Sequence, residues 1–161
     1  MFKVDYKASV DNELIPVGEY EVFVKDCFQN FTKGGTEYID LQLQIREDIE
    51  QPAQKRRIFE KLWLSEKAKD FTYRIMSVIS RIAGIPDGQE FADINELGLA
   101  LKGKFMRVKI RHEQGNGDYP ARERVQKWME TTAPEPMGDI EGREMAVPKG
   151  FVQVENGELP F

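Results

Sequence analysis

The chain has few of the residues that build disulfides and metal centres. Its 161 residues include one cysteine, Cys27, and one histidine, His112. A single cysteine excludes an internal disulfide, and this pair cannot supply the ligands of a structural zinc site. The carboxylates are scattered and do not fall at metal-ligand spacing. We therefore expect no metal and no cofactor, and the lone thiol is compatible with a reducing cytoplasm.

Signals of catalysis and of membrane insertion are equally scarce. No serine or cysteine lies at a recognisable nucleophile elbow, and the chain has no Gly-x-x-x-x-Gly-Lys phosphate loop. No apolar run approaches the roughly 20 residues of a membrane span. Residues 1–5 carry charges where a signal peptide needs apolar side chains. We expect a cytoplasmic binding protein with no catalytic residues and no membrane partner.

The net charge of −5 is unevenly distributed along the chain. Residues 1–54 carry 5 basic and 11 acidic side chains, residues 55–130 carry 16 and 11, and residues 131–161 carry 2 and 6. An acidic total argues only weakly against a nucleic-acid binder, because the local field matters more than the sum. The basic excess lies in the middle of the chain, and an acidic tail follows it.

Alternating apolar and polar residues predict a β-hairpin over residues 18–46, with a glycine-containing turn at Thr32–Thr36. Asp26 interrupts the apolar face of the first arm, which is formed by Tyr20, Val22, Val24 and Phe28. The same alternation predicts three further strands, at Lys55–Leu64, Lys104–Glu113 and Tyr119–Met129. An Asn-Gly pair between the last two indicates a second hairpin.

Two helices are predicted between the third and fourth strands. The first begins at Ser65, a good N-cap residue, and ends near Ala83, before Gly84 and Pro86. The second is short and covers Asp93–Leu101. Together these elements predict a mainly β fold in which five strands close into a small barrel.

The third predicted strand carries cations and aromatic rings on one face: Arg57, Phe59, Lys61 and Trp63. Cations follow phosphates and aromatic rings stack on unpaired bases, so this pattern is typical of a single-strand binder. Tyr38, on the polar face of the first hairpin, is a further candidate, although Asp40 in the second arm and Glu19 and Glu21 in the first arm would repel a polyanion. The structural alternative is that Phe59 and Trp63 form a second core layer under the first helix.

The terminal hairpin carries a second basic face. Arg107, Lys109 and Arg111 are predicted to lie opposite Arg122 and Arg124, with Trp128 on the same side and no carboxylate among these positions. Five cations on one face repel each other unless a polyanion neutralises them. The structural alternative is an ordinary solvated face, since lysine and arginine suit exposed edge strands.

Residues 131–161 have the composition of a flexible linker and tail, with four prolines, four glycines and few apolar residues. The chain ends in an acidic segment with an apolar tip that bears the free carboxylate: Glu158, Leu159, Pro160 and Phe161. A basic pocket on a partner protein could bind both the ring and the carboxylate.

A family resemblance is carried by short segments in a fixed order: residues 17–22, 45–48, 64–68, 83–86 and 101–105, then Val108 and His112-Glu113. They resemble a phage family, long catalogued as a domain of unknown function, of single-stranded-DNA-binding proteins. That resemblance implies an OB-fold and binding of single-stranded DNA (ssDNA) during phage replication or recombination, in the cytoplasm of the host cell. Separately, the Glu-Leu-Pro-Phe ending is similar to the tails of bacterial single-strand-binding proteins, which recruit replication and repair enzymes.

We therefore expect an OB-fold-like ssDNA-binding domain over residues 1–130 and a linker with a partner-binding tail over residues 131–161. The expected DNA contacts are those of the two basic faces: Tyr38, Arg57, Phe59, Lys61, Trp63, Arg107, Lys109, Arg111, Arg122, Arg124 and Trp128. The alternatives are an RNA or duplex-DNA binder, or a protein–protein interaction module of a replication complex. The sequence leaves the oligomeric state open, a homo-oligomer included.

Overall fold

The computed structural model of the chain describes residues 1–4, 13–115 and 120–144. Five strands and two helices follow one another in the predicted order. They are β1 (Gly18–Phe31), β2 (Glu37–Ile45), β3 (Arg57–Trp63), α1 (Lys69–Ile82), α2 (Ile94–Leu101), β4 (Phe105–Glu113) and β5 (Arg122–Met129). The mainly β class and the position of the helices between β3 and β4 are confirmed. The Asn116-Gly117 turn and Tyr119 lie outside the described residues.

The five strands form one antiparallel sheet in the order β3-β2-β1-β4-β5. The expected closed barrel is not found, because the sheet is open between its edge strands β3 and β5. At that seam the carboxylate of Glu60 on β3 accepts a hydrogen bond from the backbone N–H of Val125 on β5, at 2.6 Å. A buried carboxylate therefore accepts the backbone hydrogen bond that a neighbouring strand would otherwise accept.

A bulge in β1 explains the aspartate that interrupts its apolar face. The register shifts between Val24 and Asp26, so Lys25 is an extra residue opposite β2. After the bulge the inward face continues with Cys27, which is buried opposite Leu41. The prediction that Phe28 shares a face with Tyr20 and Val24 was therefore wrong, since a bulge moves every later side chain to the other face.

The core lies between the inner face of the sheet and the two helices. It contains the inward side chains of β1 to β4 together with Met76 and Ile79 from α1 and Leu101 from α2. Gly98 marks the closest approach of α2 to β1. A Cβ at this position would lie 1.9 Å from the carbonyl oxygen of Cys27, so only glycine fits there.

Helix α1 begins later than predicted. The structure starts it at Lys69, and Ser65 contributes its backbone carbonyl to a preceding turn instead of a side-chain cap. It ends as expected, with Gly84 in the left-handed region at φ +85°. No helix among the described residues has the length and apolar character that crossing a membrane requires.

Residues 131–144, which we call the strap, lie against the outer face of the sheet. Ile140 is buried, the carbonyl of Pro134 accepts a hydrogen bond from Arg46 at 2.8 Å, and Thr131 donates one to Glu21. The prediction of a linker from Thr131 onward is therefore wrong for these residues. Its composition was misleading because the strap is held by backbone carbonyls as well as side chains, and contacts to backbone carbonyls leave no sequence pattern. The remainder, 145–161, lies outside the described residues.

Candidate nucleic-acid interface

Strand β3 presents its predicted cationic and aromatic side chains on the outer face of the sheet. Ile58, Glu60 and Leu62 point inward and are buried, so the alternate residues point away from the core. Phe59 is 55% exposed and Trp63 is 37% exposed. The alternative in which these two rings form a second core layer under the helix is therefore wrong.

Tyr38 on β2 lies directly opposite Trp63, and their ring centroids are 5.3 Å apart. The tyrosine is only 7% exposed, so it supports the indole instead of offering a free face of its own. Lys61 Nζ lies 5.1 Å from the centroid of the Tyr38 ring. We call Tyr38, Arg57, Phe59, Lys61 and Trp63 the β3 patch.

The cations of the β3 patch are available to a ligand. Within the described part of the chain, neither Arg57 nor Lys61 forms an ion pair. The cross-strand neighbours of Arg57 and Phe59 are the uncharged Gln44 and Gln42. The cross-strand neighbour of Lys61 is a carboxylate, Asp40.

The terminal hairpin differs from its prediction, because carboxylates lie among its arginines. Arg107 donates to Glu19 at 2.9 Å and to Glu21 at 2.7 Å, both on the adjacent strand β1. The hydrogen bond from Arg107 lowers the pKa of Glu19. Burial opposes ionisation of Glu21, yet its hydrogen bonds from Thr131 and Arg107 lower its pKa below the usual value. Arg107 is thus committed to two carboxylates of the fold.

The same correction applies at the far end of this hairpin. Arg122 donates to Glu113 at 3.0 Å, and Arg124 bridges Glu113 and the buried Glu60. The hydrogen bond from Arg122 is the main reason that the pKa of Glu113 is lowered. Two of the expected phosphate contacts therefore already have anionic partners. Glu113 follows Arg111 by two residues, so alternation places both on the same face of the strand. This spacing was the sequence signal for a carboxylate among the arginines.

A second bulge changes the position of the tryptophan. The β4–β5 register shifts between Lys109 and Ile110, which places Trp128 opposite Val108 and against the core. The prediction that Trp128 shares the cationic face was therefore wrong. The outer pairs are Lys109 with Lys127 and Arg111 with Arg124. Of the described residues on this face, Lys109, Lys127 and Arg111 make no ion pair.

The tail residues Glu158, Leu159, Pro160 and Phe161 lie outside the described residues. His112 Nε2 is 2.6 Å from the carbonyl oxygen of Ile15, and burial raises the pKa of the Cys27 thiol to about 12. In the part of the chain that the structure describes, no three His, Cys, Asp or Glu side chains are grouped so as to hold a metal ion.

Fold and surface together define a small, mainly β domain with an aromatic and cationic outer face. The chain belongs to the family described as “Protein of unknown function (DUF669)”, whose model matches residues 2–136. No curated protein matches the chain. The family description states no activity. The ssDNA binding that the sequence resemblance implies remains a proposal.

Proposed function

We propose that this protein binds single-stranded DNA, largely independently of sequence, along the outer face of β3. It would protect ssDNA during phage DNA replication or recombination. The observation that carries the proposal is the β3 patch itself. Two exposed rings, Phe59 and Trp63, alternate with two cations, Arg57 and Lys61, that have no ion pair among the described residues.

This arrangement suits an unpaired strand better than a duplex. Bases stack on exposed aromatic rings at about 1–3 kcal/mol each, and every base has a π-face, so stacking does not select a sequence. In a duplex the base faces are already stacked and unavailable. Arg57 and Lys61 would neutralise phosphates, and binding should weaken with salt because released counterions drive it.

The fold supports the proposal further, since it is compatible with an OB-type barrel. In the sheet order β1 lies between β2 and β4, and both helices lie in the connection from β3 to β4. Glu60 bridges the seam between β3 and β5. OB-folds bind oligonucleotides on the face of their second and third strands. On such a barrel the β3 patch would lie on that face, with Tyr38 contributed by β2.

We propose a second role for the tail, as the segment that recruits replication or recombination proteins. Its acidic residue Glu158 and its tip Leu159-Pro160-Phe161 would bind a basic, apolar pocket on the partner. Deleting the last three residues should leave ssDNA affinity intact and abolish partner binding. Unchanged pull-down of those enzymes would refute this role.

The experiment that tests the main proposal compares matched ssDNA, duplex DNA and RNA oligonucleotides in gel-shift or anisotropy titrations at several salt concentrations. We expect ssDNA to bind most tightly and its affinity to fall as salt rises. A preference for duplex or RNA would favour the corresponding alternative. No binding to any of the three would favour a protein–protein interaction module.

A further inference from the structure

The strap contacts a group of basic side chains at the end of the sheet that adjoins the β3 patch. Lys25 Nζ donates to the carbonyl of Gly142 at 2.6 Å, and Lys102 pairs with Glu144 at 3.1 Å. Lys55 pairs with Glu141 at 3.4 Å and, outside the strap, with Glu47 at 3.3 Å. Three lysines from separate parts of the fold thus converge on four consecutive strap residues, 141–144.

The local backbone is shaped for this convergence. Lys25 is the extra residue of the β1 bulge, and bulges commonly redirect a side chain. Gly142 is in the left-handed region at φ +85°, and a Cβ there would lie only 3.1 Å from Gln44 Oε1 and 3.6 Å from Lys25 Nζ. Glycine therefore lets the strap approach the sheet at the point where Lys25 reaches it.

A fourth cation under the strap is incompletely satisfied. Arg46 is fully buried, with Nε and Nη2 bonded to Asp48 and Nη2 also to the carbonyl of Pro134. Its Nη1 is the one buried side-chain nitrogen or oxygen in the described residues that has no hydrogen-bond partner. Leaving a buried donor unpaired is unfavourable. With the strap in place, one donor of Arg46 has no acceptor.

The surface that the strap contacts is continuous with the β3 patch. Gln44 lies opposite Arg57 in the β2–β3 register, and its side chain donates to the carbonyl of Glu141 at 3.2 Å. Lys55 precedes Arg57 by two residues along the chain. A single DNA strand bound along Trp63, Phe59 and Arg57 of β3 would therefore meet the strap next.

We propose that the strap occupies a second phosphate-binding surface, formed by Lys25, Arg46, Lys55 and Lys102, and that ssDNA displaces it. This inference rests on the proposed ssDNA binding. Glu141 and Glu144 hold the places that backbone phosphates take in the complex. In the free protein the strap keeps these cations paired. A DNA strand that extends beyond Arg57 displaces the strap, and its phosphates then pair with the cations.

Affinity measurements on paired variants test the exchange. Glu141→Gln with Glu144→Gln removes the competing charges, and we expect oligo-dT to bind about 2- to 10-fold more tightly at low salt. The matched control is Glu135→Gln with Asp139→Asn, which removes two acids of the strap that make no described contact. This control should change the affinity much less, and an equal gain from both pairs would mean that only net charge matters, which would overturn the proposal.

Substituting the lysines should change the oligo-dT affinity in the opposite direction. Lys25 and Lys102 have described partners only in the strap, so Lys25→Ala with Lys102→Ala releases the strap as well as removing two cations. If they bind phosphate, oligo-dT affinity falls and the log–log salt slope decreases by about 1.4, at about 0.7 per lost contact on a single strand. If they serve only to hold the strap, affinity rises or stays the same, and the proposal is wrong.

Displacement itself can be followed with a thiol reagent. Ile140→Cys places a thiol on the buried side of the strap, where the native residue is 5% exposed, while Cys27 is buried and gives little background. We expect saturating oligo-dT to accelerate labelling at position 140 several-fold and to leave the exposed control Met137→Cys unchanged. An unchanged rate at position 140 with DNA bound would overturn the inference. If Phe59→Ala with Trp63→Ala still abolished binding in that case, the proposed function would stand without the strap exchange.

Discussion

The backbone N–H of Val125 on β5 donates to the carboxylate of Glu60 on β3 at 2.6 Å, across the open seam of the sheet. Glu60 is 2% exposed and also accepts from Arg124 Nε at 3.2 Å. Burial raises the pKa of Glu60 above its usual value, even though these hydrogen bonds oppose that shift. One buried carboxylate therefore joins the two edge strands of the sheet.

Replacing this carboxylate should destabilise the fold. Glu60→Ala leaves the backbone amide of Val125 and the Nε of Arg124 without their acceptor, so the free energy of unfolding should fall by about 1–3 kcal/mol. Chemical denaturation measures this loss. The control is Glu113→Ala, which removes the exposed partner of the same arginine and should cost less than about 1 kcal/mol. Equal losses would show that Glu60 does not hold the seam.

Arginines that form ion pairs with carboxylates of the fold should contribute more to stability than to DNA binding. Arg107→Gln leaves the buried Glu21 without its cation, and we expect about 1–3 kcal/mol of lost stability with little change in the salt slope of ssDNA binding. Lys61→Gln, on the exposed β3 patch, should do the reverse. It should change stability by less than about 0.5 kcal/mol and lower the slope by about 0.7. A loss of slope in the Arg107 variant alone would contradict this division.

The contact between Glu21 and the strap predicts a pH dependence. The pKa of Glu21 is lowered in the folded protein from a reference value of 4.5, so the folded state binds fewer protons than the unfolded chain. Its contribution to stability is complete above that value and is lost as pH falls through the lower, folded pKa. The stability difference between wild type and Glu21→Gln should therefore shrink from about pH 6 to about pH 3. A difference that stays constant would mean that Glu21 is not selectively stabilised as an anion.

Alternation alone was sufficient to predict the β3 patch. Ile58 and Leu62 define an inner face, and with a period of two Phe59 and Trp63 must then point outward. Alternation also located the other strands, and capping and helix-breaking residues located the first helix, with ends that differ by a few residues. Burial of Glu60 was not predictable, because a carboxylate on an apolar face gives no indication of the partner that satisfies it.

The partners of the terminal hairpin depend on the arrangement of strands, which a single strand's pattern does not contain. Arg107 pairs with Glu19 and Glu21 only because β1 lies next to β4. Trp128 changed faces through a bulge that has no marker in its own strand, whereas Asp26 did mark the bulge in β1. The strap was missed because its contacts with Arg46 and Lys25 use backbone carbonyls, which are independent of side-chain type.

Removing the exposed rings should weaken DNA binding and leave the fold intact. Phe59→Ala and Trp63→Ala should each reduce ssDNA affinity by about 5- to 150-fold, the equivalent of one lost stacking contact. Phe71→Ala is the matched control, since that phenylalanine is 61% exposed but lies on α1. Anisotropy titrations with labelled oligo-dT give the three affinities. An equal loss in the Phe71 variant would show that the effect is not local to β3.

The most direct test of base stacking on β3 uses the two tryptophans separately. In Trp128→Phe the remaining indole is Trp63 on the β3 patch, and in Trp63→Phe it is Trp128 against the core. Titration with oligo-dT should quench the fluorescence of the Trp128→Phe protein saturably, with a midpoint that moves to higher DNA concentration as salt is added. The Trp63→Phe protein should show little quenching. Quenching confined to Trp128, or DNA binding with no change at Trp63, would contradict the account.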